Sequence, residues 1–219
     1  FFFFKAGDMS MTAMAVIATG ALIPFFVYNV VGHKSKMYLG DGGSLMIGTM
    51  MALFVISILK ENSLCSLAVE ERFGLVPFTL ALLSLPVFDT LRVMLMRIRD
   101  KKSPLSADRN HLHHMFVDLG YSHLGTTLSV VILDVIVIFF WWISYIAGAS
   151  QGVQLLVVVA AGILNTFGLY KVVYLMGRKE SAAYRMIRSL GKKTHIENTR
   201  MWRKFRTILD YKFNTNKNN

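Results

Sequence analysis

Hydrophobic residues fall in five long blocks separated by short polar stretches: roughly Met9–Val31, Ser44–Leu59, Phe73–Met96, Gly125–Ala147 and Val153–Met176. The hydrocarbon core of a bilayer takes about 20 mainly apolar residues of helix, so each block reads as a membrane span. The second block has only sixteen residues, which predicts one end set in a recess. Beyond the last block, residues 181–213 place Met186, Ile187, Leu190, Met201, Trp202, Phe205, Ile208, Leu209 and Phe213 among many cations. That pattern predicts amphipathic helices on a membrane surface, with a break between Gly191 and Asn198. The fold class is therefore all-α: a polytopic integral membrane protein with about five transmembrane helices over residues 1–176, and a basic amphipathic cytoplasmic tail over residues 177–219.

Composition sharpens this picture. The 219 residues are 54% hydrophobic and 17% charged, against about 25% charged for a typical soluble domain, and the mean hydropathy is +0.47. A disordered chain, a collagen-like repeat and a disulfide scaffold are excluded; Cys65 is the single cysteine. The opening run Phe1–Phe4 has neither a basic flank nor a small-residue cleavage site, so it is no signal peptide, and the sequence reads as starting mid-protein just ahead of a span. The net charge is +11, and the tail alone carries twelve Lys/Arg against three Asp/Glu, a net of +9. Lys/Arg bias orients membrane proteins. Lys34 and Lys36 mark loop 32–43, and Arg97, Arg99, Lys101, Lys102 and Arg109 mark loop 97–124. The intervening sides hold Lys5 alone, or Lys60 and Arg72 balanced by Glu61, Glu70 and Glu71. The N-terminus is expected outside, and both basic loops and the tail in the cytoplasm. Orientation accounts for the cations, so no nucleic-acid partner is expected.

Candidate chemistry gathers at that cytoplasmic side. In Tyr38-Leu-Gly-Asp41-Gly-Gly-Ser44 the glycines let a ligand approach the backbone closely. Asp41 supplies a carboxylate at a helix N-terminus. Mg²⁺ takes one or two carboxylates together with phosphate oxygens, and Ser44 with the helix N–H groups suits an anion; a plain capped turn fits the same residues. In the stretch from Ser103 to His114, three histidines fall within four positions, at His111, His113 and His114. They can bind zinc, donate to a phosphate or move a proton, or they can lie in a solvated basic loop. Neighbouring arginines grip phosphates bidentately. Asp89 and Arg92, one helical turn apart within the third block, can pair on one face, either to anchor loop 97–124 or to serve a ligand. Asp134 and Asn165 read as helix–helix hydrogen bonders.

The runs KMYLGDGGSLMIG and PVFDTLRVMLMRIRDKKSPLSADRNHLHH resemble the signature motifs of the polyprenyl-phosphate N-acetylhexosamine-1-phosphate transferases, in the right order, over roughly residues 9–123. The His-x-His-His form resembles the undecaprenyl-phosphate N-acetylglucosamine-1-phosphate branch of glycosyltransferase family 4; the phospho-N-acetylmuramoyl-pentapeptide transferases are cousins. The resemblance implies transfer of N-acetylhexosamine 1-phosphate from a UDP-N-acetylhexosamine to undecaprenyl phosphate, which starts envelope polysaccharides such as O-antigen. It implies a multi-pass protein of the bacterial inner membrane whose active site faces the cytoplasm, with the lipid bilayer as surroundings and a homodimer left open. By resemblance Asp41 is the ligand of Mg²⁺, or of Mn²⁺ in its place, and Tyr38 stacks on uracil. Asn29 and Ser44 contact substrate, Arg97 and Arg109 grip the pyrophosphate, and His111, His113 and His114 are the catalytic histidines.

The family's Asp-Asp-x-x-Asp and Asn-x-x-x-Asp-Gly-x-Asp-Gly motifs do not occur in these 219 residues. The chain is therefore expected to be the C-terminal half of such an enzyme and inactive on its own. Two other readings remain. One is a small ion transporter using Asp41, Asp89 and Asp134, against which the charges cluster at one face. The other is a non-catalytic membrane partner.

Overall fold

The computed structural model describes residues 2–60, 70, 72–104, 111–178, 181–195 and 199–215. Among them every regular element is helical. Four helices are long and apolar enough to cross a membrane: Met9–Val31, Gly40–Leu59, His123–Ile146 and Gln151–Leu175; a bent pair, Leu75–Leu82 with Ser84–Arg99, makes a fifth if taken as one span. The chain is an all-α polytopic membrane protein. It divides into two compact units, residues 1–70 with 196–219, and residues 71–195.

The first unit holds α1 (Phe2–Lys5), α2 (Met9–Val31), α3 (Gly40–Leu59) and α11 (Arg200–Thr215). Asp8 caps α2, its Oδ1 accepting from the Met11 amide at 3.0 Å. The Phe3 ring lies 5.6 Å from that of Phe54. At the far end of α2 the Gly32 amide bonds the Tyr28 carbonyl, and a Cβ at position 32 would collide with that oxygen. The second span is longer than its hydrophobic block suggests: α3 starts at Gly40 and has 20 residues, so no recess is required. Glycine costs about 1 kcal/mol inside a helix, but the first-turn N–H groups lack intrahelical partners anyway. Gly40 has φ +66°, a conformation suited to glycine. Val16, Ile17 and Ile23 of α2 and Leu45, Met46 and Ile56 of α3 are exposed, as suits helices surrounded by lipid.

The second unit holds α4 (Leu75–Leu82), α5 (Ser84–Arg99), α6 (Leu112–Asp118), α7 (His123–Ile146), α8 (Gln151–Ile163), a π segment (Leu164–Gly168), α9 (Leu169–Arg178) and α10 (Ala182–Lys193). The hydrophobic block at Phe73–Met96 is not one straight helix, because α4 and α5 meet at 71°. Pro86 has no N–H and its ring opposes the carbonyl four residues back. Asp134 of α7 takes up donors in the first turn of α5, accepting from Ser84 Oγ at 2.7 Å and the Leu85 amide at 3.1 Å. Asn165, in the π segment, donates to the Leu133 carbonyl at 2.6 Å, so both lone polar residues make the helix–helix bonds expected of them.

Two apolar clusters fill this unit. Ala81, Val137, Trp141 and Val158 form one, with Phe73 and Phe78 packed on it; Leu85, Leu112, Met115, Phe116, Leu119 and Val173 form the other. Tyr184 and Ile187 of α10 pack on the second cluster, and Gly191 admits the Tyr121 ring so closely that a Cβ would overlap it. The helix therefore runs through Gly191 and ends at Lys193. Half of the basic tail is built into this unit instead of lying only on a membrane.

Two measurements test this arrangement. Reporter fusions after positions 36, 66, 104 and 150 are expected to alternate in, out, in, out; equal signals at 66 and 104 would make the bent α4–α5 pair a re-entrant loop. Gln154 is fully buried, accepts from Trp141 Nε1 and donates to the Arg72 and Ala149 carbonyls. Gln154→Leu leaves an indole N–H and two carbonyls short of a partner, at about 1–3 kcal/mol for each unmade bond. It is expected to lower the unfolding temperature in detergent clearly.

Candidate functional site

The histidine run lies on α6, whose Leu112, Met115 and Phe116 recur at helical spacing and are buried. That burial turns His113 outward and leaves His111 and His114 half-buried. The three rings form a row: His111 and His113 stack at 5.8 Å between centroids and 13° between planes, and His113 lies 4.1 Å from His114.

The row is held by Asp89 of α5. One carboxylate oxygen contacts His111 Nδ1 at 2.9 Å, and the other accepts from Arg92 Nη2 at 2.7 Å. Both lie 3.3 Å from the Leu112 amide, so Asp89 caps the first turn of α6, where carboxylates are favoured. Arg92 is 1% exposed and lies over the Tyr170 ring at 4.4 Å, a cation–π contact. The Asp89–Arg92 pair seen in the sequence is thus real and anchors loop 97–124 directly. With Nδ1 engaged, His111 has Nε2 left for a ligand. Nothing local in the sequence links Asp89 to a histidine 22 positions on; only the tertiary fold does.

Arg97, also buried, donates to the Pro104 carbonyl at 2.6 Å and so ties down the Ser103-Pro104 turn. Arg109 lies outside the described residues. Beside this set is a cavity of about 510 Å³ whose lining includes Arg92, Met96, Arg99, Phe167, Tyr170 and Lys171.

Asn29, Tyr38, Asp41 and Ser44 fall in the first unit. Asn29 donates to the Met37 carbonyl at 2.7 Å and so braces the segment before α3. Tyr38 is 77% exposed, with Lys36 Nζ 5.6 Å from its ring centroid. Ser44 Oγ spends its proton on the Gly40 carbonyl at 2.9 Å, leaving lone pairs but no donor for an anion. Asp41 is exposed in the first turn of α3. Among the described residues no three His, Cys, Asp or Glu side chains are grouped to hold a metal. A lone carboxylate nevertheless fits Mg²⁺, which completes its shell with substrate phosphate and water.

His113 is pushed below its ordinary value of 6.5, first by desolvation and then by His114 and His111, while Asp89 pulls it up. Its folded pKa lies below the unfolded one, so its contribution to stability is complete above about pH 6.5 and is lost as pH falls from there toward the folded value. Asp89→Asn removes the raising charge, and the His113 midpoint in histidine NMR is expected to move further down. The same change strips a buried arginine of its partner, and a drop of about 3–5 kcal/mol in stability is expected.

The family model of glycosyl transferase family 4 matches residues 1–59. A decaprenyl-phosphate N-acetylglucosaminephosphotransferase of Mycolicibacterium smegmatis is 33% identical over 142 residues, 63% of this chain and 32% of that protein. A probable undecaprenyl-phosphate N-acetylglucosaminyl 1-phosphate transferase of Bacillus subtilis is 25% identical over 60% of this chain and 34% of its own length. An undecaprenyl-phosphate alpha-N-acetylglucosaminyl 1-phosphate transferase of Escherichia coli K12 is 29% identical over 53% of this chain and 30% of its own. The chain spans about a third of the length of these curated relatives. No solved structure matches it significantly. Over its first 59 residues the chain is thus similar to glycosyl transferase family 4, and over 53–63% of its length to part of the polyprenyl-phosphate N-acetylglucosamine-1-phosphate transferases.

Proposed function

We propose that this chain carries part of a transferase that moves N-acetylglucosamine 1-phosphate from UDP-N-acetylglucosamine to undecaprenyl phosphate at the cytoplasmic face of a bacterial inner membrane, starting an envelope polysaccharide. The observation that carries the reading is the Asp89-held row of His111, His113 and His114, set on a basic loop of a membrane protein related to enzymes of that name. In the reaction a lipid phosphate oxygen attacks the β-phosphorus of the UDP-sugar. The bond from that phosphorus to the bridging oxygen breaks, UMP leaves with the electron pair, and a lipid diphosphosugar forms.

The chain's own residues bind and orient. His111, fixed through Nδ1, presents Nε2 to substrate, an acceptor in the neutral ring and a donor to a phosphate oxygen only when the ring carries both protons, and His113 and His114 extend the row. Pre-set donors aimed at developing charge are the larger part of phosphoryl-transfer catalysis. Asp41 is assigned to Mg²⁺, which when bound neutralises charge on the diphosphate. Tyr38, exposed and flat, suits a uracil ring. The cavity beside Arg92 sets Arg99 and Lys171, with Asp100 as the acid among them, against apolar walls, a combination that fits an isoprenoid phosphate.

Binding tests this without requiring turnover. The chain in nanodiscs is expected to bind UDP-N-acetylglucosamine in a Mg²⁺-dependent way. Asp41→Asn is expected to weaken the Mg²⁺-dependent part at least about tenfold, equivalent to about 1.4 kcal/mol, and His113→Ala the affinity at any Mg²⁺ level. Unchanged binding in Asp41→Asn would reduce Asp41 to a helix cap. With undecaprenyl phosphate added, UMP release is expected to be negligible, because the family's carboxylate-rich motifs are not among these 219 residues.

A further inference from the structure

The turn that follows α2 holds an anion that belongs to the chain itself. Asp210, on α11, accepts from Ser35 Oγ at 2.6 Å and from the Ser35 amide at 3.0 Å through one oxygen. The His33 amide reaches the same oxygen at 3.4 Å, and the Lys34 amide reaches the other at 3.3 Å. Three successive backbone N–H groups converging on one carboxylate form a nest, the concavity that phosphate-binding loops use. Ser35 is 2% exposed, so its hydroxyl is fixed within the nest. One turn back along α11, Arg206 Nε donates to the Val31 carbonyl at 3.2 Å, with its cation at the negative end of α2.

Two features exceed what a simple tail fastening needs. A cavity of about 320 Å³ opens at the same place, lined by His33, Lys34, Arg206, Thr207 and Asp210. Among the described residues its lining carries a lysine, an arginine and a histidine, and Asp210 is the one acid in it. The carboxylate also behaves as a well-held anion: burial pushes it up, but the hydrogen bonds from Ser35, Lys34 and His33 outweigh this and hold it below the usual carboxylate range. A phosphate oxygen uses the same donors and carries more charge.

We propose that residues 33–35 form an oxyanion-binding nest for a phosphate or diphosphate group, and that Asp210 of the tail is its built-in competitor. Arrival of phosphate displaces the carboxylate and frees α11; its departure lets the tail close the nest again. The inference does not rest on the transferase reading, because it concerns binding and tail position and requires no turnover.

The test uses the purified chain in phosphatidylcholine nanodiscs. Asp210→Asn keeps the side chain's shape and removes its charge, and it is expected to bind inorganic pyrophosphate about tenfold tighter than the unaltered chain, with Ser35→Ala in the same background abolishing the gain. A second measurement needs no variant: pyrophosphate added to the unaltered chain is expected to raise hydrogen exchange across residues 200–211 while the amides of residues 33–35 stay protected. Replacing part of the lipid with phosphatidylglycerol separates the sources. Loosening of the tail by that lipid, without pyrophosphate, assigns the nest to a membrane phosphate, and loosening by pyrophosphate alone assigns it to a soluble one. Equal pyrophosphate affinity in a folded Asp210→Asn chain, or a tail whose exchange neither pyrophosphate nor anionic lipid alters, overturns the proposal.

Discussion

Arg92 is closed off from water between Asp89 and the Tyr170 ring, and a guanidinium cannot escape such a place by losing its proton. Its carboxylate partner is therefore not optional. Once Asp89 is fixed there, its remaining acceptor capacity settles where the loop after α5 must return. The Leu112 amide and His111 Nδ1 are the donors that fill it. The first turn of α6 is thereby set, and Leu112, Met115 and Phe116 enter the core beside Leu85 and Val173. His113 faces outward, with His111 and His114 half-buried beside it, as a consequence of that packing.

The same logic governs the other polar groups in the apolar part of this unit. Asp134 receives a first-turn amide of α5 at the α4–α5 bend, Gln154 joins the Trp141 indole to two backbone carbonyls, and Asn165 reaches across to α7. Each stands where the backbone departs from ideal helix or where two helices meet. An unmade hydrogen bond in hydrocarbon costs several kcal/mol, so these residues determine helix pairing as much as the aliphatic side chains do. The spans of the other unit follow a different rule. The apolar windows of α2 and α3 are almost wholly exposed, and their order comes from their ends: Asp8 at the start of α2, Gly32 and Arg206 at its finish.

Hydropathy alone located all five apolar blocks to within a few residues, because bilayer thickness imposes a length that short-range pattern can register. The Asp89–Arg92 pairing was legible for a related reason: a three-residue spacing on a helix needs no tertiary information. What escaped depended on distant partners. The bend at Leu83 follows from Pro86, yet its tolerance rests on Asp134 some fifty positions on. Ser44 read as an anion donor, but its proton is spent on Gly40 within its own helix. The tail read as two amphipathic helices lying on a membrane surface, whereas α10 packs into the core through Tyr184, Ile187 and Gly191. Asp210, a single acid among many cations, gave no local sign of its role.

The π segment at Leu164–Gly168 has a consequence for how the last span tolerates change in length. Five turns of ideal α-helix occupy about 18 residues, yet Gln154 and Val173, both turned into the protein, stand nineteen positions apart. The widened turn absorbs the extra residue, so that Tyr170 arrives over Arg92 while α8 keeps Gln154 against Trp141. Deleting one residue within Leu164–Gly168 would leave the span long enough to cross a bilayer. It would also turn the remainder of the helix by about 100°, so the core would register the loss as a rotation and not as a shortening.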